Sequence, residues 1–124
     1  MKHFTITILM SIVIANAFSI RVFSYEFAYA ERHFIQVKTG EEFIVKFKGS
    51  SDNKYYWNYI NFYDSIEVIA EKDYQDKGLG KQRIKEYKLK AKKITYSYVA
   101  LTFFELIRND KSINQQQILA VKVL

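Results

Sequence analysis

In Phe43-Ile44-Val45-Lys46-Phe47-Lys48-Gly49, the residues Phe43, Val45 and Phe47 alternate with Ile44, Lys46 and Lys48. Successive side chains of a strand point to opposite faces. A two-residue period of this kind therefore describes a strand with one face in a core and the other towards water. Upstream, Phe34-Ile35-Gln36-Val37 is a second β-prone run, set off by the turn residues Thr39-Gly40. Downstream come the aromatic run Tyr55-Tyr56-Trp57-Asn58-Tyr59, the short apolar run Ile66 to Ala70 and the long β-prone segment Ile94 to Phe104. A last run, Gln117 to Leu124, carries Ile118, Ala120, Val121 and Val123. Longer connections are expected around 71–80 and 108–116. About seven short strands in one chain of this size predict an all-β, immunoglobulin-like β-sandwich.

One segment reads two ways. Lys81 to Lys93 is built of good helix formers, and Ile84, Tyr87 and Ala91 would share a helical face. As a strand, it would turn Tyr87, Leu89 and Ala91 inward and Lys88, Lys90 and Lys92 to water. The eight basic residues from Lys77 to Lys93 could form an electrostatic footprint. Lysines also protect solvated sheet faces from aggregation, and that reading is preferred, with no nucleic-acid partner expected.

The ends of the chain and its composition set further bounds. The length of 124 residues suits one domain, and 49% apolar content is too high for a disordered chain. Lys2 and His3 precede an uncharged apolar run, Thr5 to Ile20, which is shorter than the about 20 residues of a bilayer span. The pattern is that of a secretory signal peptide. Small-x-small cleavage patterns occur at Ala15-Asn16-Ala17 and at Ala28-Tyr29-Ala30. Cleavage is expected after Ala30, giving a 1–30 leader and a 31–124 domain; the competing readings are an uncleaved anchor or a first strand. The product is expected to be secreted or periplasmic, without membrane insertion, and monomeric. It must fold without disulfides, since the chain has no cysteine.

The lack of cysteine also removes thiol nucleophiles and thiolate metal sites. After leader removal His33 is the one histidine, expected to be solvated near the new terminus, so no Ser-His-Asp set or HExxH site can be built. Glu41 and Glu42 are adjacent and would point to opposite faces of a strand. Gly78-Leu79-Gly80 lacks the third glycine and the βαβ setting of a phosphate loop. No catalytic residue, metal or cofactor is expected, and the protein reads as a non-enzyme.

Three segments taken together carry a family resemblance. Ser50-Ser51-Asp52-Asn53-Lys54 leads into Tyr55-Tyr56-Trp57. Gly78-Leu79-Gly80-Lys81 follows about twenty residues on, and Leu101-Thr102-Phe103-Phe104 runs into Glu105-Leu106-Ile107. Over residues 33–124 this arrangement resembles the chagasin family, secreted inhibitors of papain-like cysteine peptidases. In that family the three loops read Asn-Pro-Thr-Thr-Gly before an aromatic, any residue and Trp; then Gly-x-Gly-Gly; then Arg-Pro-Trp. Tyr55 and Trp57 match the residues after the first loop, Gly78 and Gly80 match the second, and Leu101 and Phe103 match the strand before the third. None of the five first-loop residues is kept, and the chain has no proline to supply the two that the family uses. Glu105 stands where the family has arginine, which predicts a reversed charge at the third loop. The resemblance implies a reversible, non-covalent inhibitor that blocks the peptidase cleft with three adjacent loops. Its contact residues would be Ser51, Asp52, Asn53 and Lys54; Gly78, Leu79, Gly80 and Lys81; and Leu106 and Ile107. The alternative is a non-inhibitory exported adhesion or interaction module on the same sandwich. Trp57, the tyrosines, Leu106 and Ile107 would then be core or sheet residues.

Overall fold

A computed structural model describes residues 19–50, 53–78 and 82–124. Among these lie eight strands and no helix: β1 (Arg21–Tyr25), β2 (Glu31–Val37), β3 (Glu42–Lys48), β4 (Tyr55–Ile60), β5 (Ile66–Gln75), β6 (Arg83–Ala91), β7 (Val99–Ile107) and β8 (Ile113–Val123). They form two four-stranded sheets, ordered β1-β3-β6-β5 and β2-β8-β7-β4. Pairing is antiparallel except for β1 with β3 and β2 with β8, which are parallel. The architecture is the expected immunoglobulin-like β-sandwich.

The alternation in β3 does what its spacing predicts. Phe43, Val45 and Phe47 are fully buried, while Ile44, Lys46 and Lys48 are half-buried on the outer face. The inward rows of β6, β7 and β8 supply Tyr87, Leu89, Leu101, Phe103, Leu119 and Val121 to the same core. Phe47 sits at its aromatic centre, with ring centroids 4.9 Å from Phe103, 5.1 Å from Trp57 and 5.8 Å from Tyr25. Such pairs add stabilisation beyond the area they bury, which suits a core without disulfides. At the Thr39-Gly40 turn, Gly40 takes φ +86°, a left-handed conformation that favours glycine.

Within 81–93, Arg83–Ala91 form the strand β6. The inward row Lys85, Tyr87, Leu89, Ala91 is buried, and pairing with β3 on one side and β5 on the other overrides its helical propensity. β7 begins later than expected: residues 94–98 belong to the connection before it, although Thr95 is clipped to Val123 by two hydrogen bonds of 3.0 and 2.9 Å. The eighth strand, β1, lies inside the segment 1–30. Its Phe23 and Tyr25 pack on the core, and the Arg21 guanidinium grips the Glu41 carboxylate at 2.7 and 3.0 Å. That ion pair holds the Glu41 carboxyl below its usual range. The apolar run ahead of β1 lies outside the described residues except for its last two positions.

Candidate functional site

Register fixes which connections share an end of the sandwich. Lys48 pairs with Ile84 and Gln75 with Arg83, so the β3–β4 connection leaves beside the β5–β6 connection. Tyr55 pairs with Ile107, and Leu106 with Ile113, so the β7–β8 connection lies at that same end. The β3–β4, β5–β6 and β7–β8 connections therefore begin and end at one end of the sandwich. Topology adds a fourth: Tyr25 pairs with Phe47 and Glu31 with Gln117, which brings the β1–β2 connection, 26–30, to this end as well.

Asn53 ties three of these segments together. Its side-chain oxygen accepts from Arg83 Nη1 and its carbonyl from Arg108 Nε, both at 2.9 Å. The Arg108 amide also donates to the Lys54 carbonyl (2.7 Å), and the Gly49 amide to the Arg83 carbonyl (2.8 Å). Two of the connections are further shaped from within. The Gly78 amide donates to Asp76 Oδ1 at 3.1 Å, and the Ser112 amide and hydroxyl donate to Asp110 Oδ1. These local turns do the ordering that proline performs elsewhere. The Ser112 donors also lower the Asp110 carboxyl from its ordinary value. Lys111 takes φ 58° at the tip of the β7–β8 turn.

Beneath the loops runs a buried polar network. Glu105, Gln115 and Gln117 are 2%, 0% and 0% exposed. Glu105 accepts from the Ser50 amide (2.9 Å), Asn114 Nδ2 (2.8 Å) and Gln115 Nε2 (3.3 Å). Gln115 Nε2 also donates to the Lys48 carbonyl, and its oxygen accepts from the Ala28 amide. Gln117 Nε2 donates to the Glu26 carbonyl and to Gln115 Oε1. Gln117 Oε1 faces His33 Nε2 at 2.9 Å. His33 is thus not merely solvated; its ring also stacks on Tyr25 with centroids 3.7 Å apart. Buried polar groups satisfied in this way fix a single arrangement of the backbone they hold. Here that backbone is Glu26 and Ala28 of the β1–β2 connection, and Lys48 and Ser50 where β3 gives way to the β3–β4 connection.

The sequence-derived residues fall as follows. Asn53 and Lys54 are exposed in the β3–β4 turn and Gly78 is exposed in the β5–β6 turn; Ser51, Asp52, Leu79, Gly80 and Lys81 lie outside the described residues. Leu106 and Ile107 are half-buried residues at the end of β7, and the exposed tip beyond them is Arg108 to Ser112. Glu105 brings no reversed charge to the loop surface. It lies on the inward row of β7 with Leu101 and Phe103, and its carboxylate is spent on buried donors. Trp57 is a core residue, stacked on Phe47. Arg83, Arg108 and the Gln115–Gln117 pair escaped the sequence reading. Two glutamines at alternate positions of an apolar strand are the signal that could have revealed the network.

Lysines on and around β6 form ion pairs with carboxylates of the same sheet and its connections. Lys85 pairs with Glu71 (2.9 Å), Lys92 with Glu67 (3.5 Å), Lys93 with Asp64 (2.7 Å) and Lys46 with Glu86 (3.7 Å). Among the described residues no group of three or more His, Asp or Glu side chains is placed to hold a metal ion.

No family model and no curated protein matches the sequence. Solved structures do match the fold. One is the cysteine protease inhibitor EhICP2 from Entamoeba histolytica, at TM-score 0.65 and 12% identity, covering 85% of this chain and 97% of that one. Another is PbICP-C, solved in complex with falcipain-2, at TM-score 0.61 and 16% identity, covering 82% of this chain and 99% of that one. The fold is that of the chagasin-like inhibitors, as the resemblance implies.

Proposed function

We propose that the chain is a reversible, non-covalent inhibitor of papain-like cysteine peptidases, and not itself an enzyme. The observation that carries this reading is the convergence of segments 49–54, 76–82 and 108–112 at one end, joined through Asn53, Arg83 and Arg108. A row of linked turns of this kind can enter a cleft as a wedge. It covers the nucleophile without offering a peptide bond in attack geometry. The buried network beneath it fixes the start of the β3–β4 turn before binding, which lowers the ordering cost of association. Likeness to a cysteine protease inhibitor and to a protein bound to falcipain-2, a papain-like cysteine protease, supports the same partner class. The contact set is Ser51 to Lys54, Gly78 to Lys81, and Leu106 and Ile107 with the tip that follows them.

The reading includes export to the periplasm or the exterior as a monomer. The leader then ends at Ala15-Asn16-Ala17, which lies outside the described residues. Two observations support that site over Ala30. A cut after Ala30 would remove β1 with its core contacts, and the 85% of the chain that aligns with EhICP2 exceeds what residues 31–124 alone could supply. The test is titration of papain with residues 18–124, a form that holds every described strand. Inhibition at or below micromolar concentration, reversed on dilution, is expected. Full peptidase activity at that concentration would remove the proposal and favour a non-inhibitory exported interaction module.

A further inference from the structure

The β1–β2 connection shares the loop end but has no part in the three-loop account, and its side chains are unusual for a solvated crossover. Phe27 is 43% exposed and Tyr29 82% exposed, and their rings meet edge to face with centroids 5.0 Å apart. Exposed aromatics on a mobile tether would carry little information. This segment is fastened at two alternate residues, Glu26 and Ala28. Glu26 Oε1 pairs with Lys48 Nζ at 2.9 Å, and the Glu26 carbonyl accepts from Gln117 Nε2 at 2.9 Å. The Ala28 amide donates to Gln115 Oε1 at 3.3 Å, and the Ala28 carbonyl accepts from the Gln116 amide at 3.2 Å.

The glutamines that hold this segment belong to the network that holds Lys48, Ser50 and the start of β8. The backbone on both sides of Phe27 is therefore fixed relative to the end of β3, Ser50 and the start of β8. Neighbouring strands lie about 4.8 Å apart, so the crossover from β1 to β2 sits one strand spacing from the end of β3 and the start of β8. It extends the row of loops on the side away from β5 and β4. Rigid, amphipathic aromatic side chains beside a contact surface are the residue types that dominate binding energy at protein interfaces.

We propose that Phe27 and Tyr29 form a fourth contact on the inhibited peptidase, seated on the apolar surface flanking its cleft. This inference rests on the cysteine-peptidase reading above and adds to it an affinity-determining site outside the three loops. It also gives the leader boundary a functional consequence, because a chain cut after Ala30 would lack the contact.

The test compares residues 18–124 with the Phe27→Ala/Tyr29→Ala variant of the same chain. The inhibition constant for papain is measured for both, together with the reactivity of Tyr29 towards iodination, read by mass spectrometry in the free protein and in the complex. An increase of about tenfold or more in the inhibition constant is expected, mainly through faster dissociation, with iodination of Tyr29 suppressed in the complex. Both side chains are exposed, so thermal unfolding of the variant should match that of the parent. If the parent inhibits while the variant inhibits equally well and Tyr29 stays reactive in the complex, the fourth contact is overturned and the three-loop wedge stands. If the parent itself does not inhibit, both fall together.

Discussion

Gly49 marks the point where the loops and the core meet. A Cβ there would lie 2.5 Å from Glu105 Oε2 and 2.8 Å from Trp57 Nε1, both side chains being held by their own packing. Gly49→Ala is expected to destabilise the fold by about 1–3 kcal/mol through overpacking, measured as a shift in the urea midpoint. Glu105 is the reciprocal case. Its removal in Glu105→Ala takes away the acceptor it gives to the Ser50 amide, Asn114 Nδ2 and Gln115 Nε2, of which the last keeps its bond to the Lys48 carbonyl. A loss of about 3 kcal/mol is expected. Tyr87 behaves differently, because its hydroxyl is buried with no hydrogen-bond partner among the described residues. Burial pushes its phenol far above the ordinary range. The folded form thus retains a proton that the unfolded chain releases near pH 10, so stability present below that pH declines as pH rises above it. Tyr87→Phe is expected to leave stability at pH 7 unchanged or up to about 1 kcal/mol higher, and to flatten the fall above pH 10. Denaturant melts at pH 7 and pH 10.5 check both parts.

At the level of elements, what could be read from sequence follows from where the information resides. The two-residue period of β3 is local and strong, and the structure keeps it residue for residue. β6 was undecided because Lys, Glu, Leu and Ala favour helices in isolation; the partners that make it a strand, β3 and β5, are distant in sequence. β1 was obscured by position. Arg21-Val22-Phe23-Ser24-Tyr25 has the alternation of a strand, but it directly follows an apolar run and was absorbed into the leader. The loop positions were legible through the turn residues and their spacing. The groups that bind those loops together were not, because Asn53, Arg83 and Arg108 meet only after two sheets have formed. The role of β1 has a direct consequence for stability. Residues 31–124 lack Phe23, Tyr25 and the Arg21–Glu41 pair, and are expected to be less stable than residues 18–124 by about 3 kcal/mol, from the apolar area of two part-buried aromatics. Urea unfolding of the two forms, with a smaller m-value for the shorter one, checks it.

On the scale of the whole molecule, the lysine-rich sheet face and the proposed contact surface are different places. The formal charge of +6 is carried in large part by the sheet containing β6, where lysines pair with Glu67, Glu71 and Glu86. The proposed contact surface lies at the end of the sandwich, on turns that combine glycine and aromatic side chains with charges of both signs, Asp52 and Asp110 against Lys54, Lys81, Arg108 and Lys111. Inhibition is therefore expected to change by less than about threefold between 0.05 and 0.5 M salt, whereas binding through the lysine face would weaken steeply. The central claim, that the loop end fills the peptidase cleft, is tested most directly by alkylation of papain's active-site thiol with iodoacetamide. With papain saturated by residues 18–124, the account predicts that alkylation slows in proportion to occupancy and recovers on dilution. Alkylation of the saturated enzyme at the rate of free papain would place the protein elsewhere on the peptidase and contradict the account.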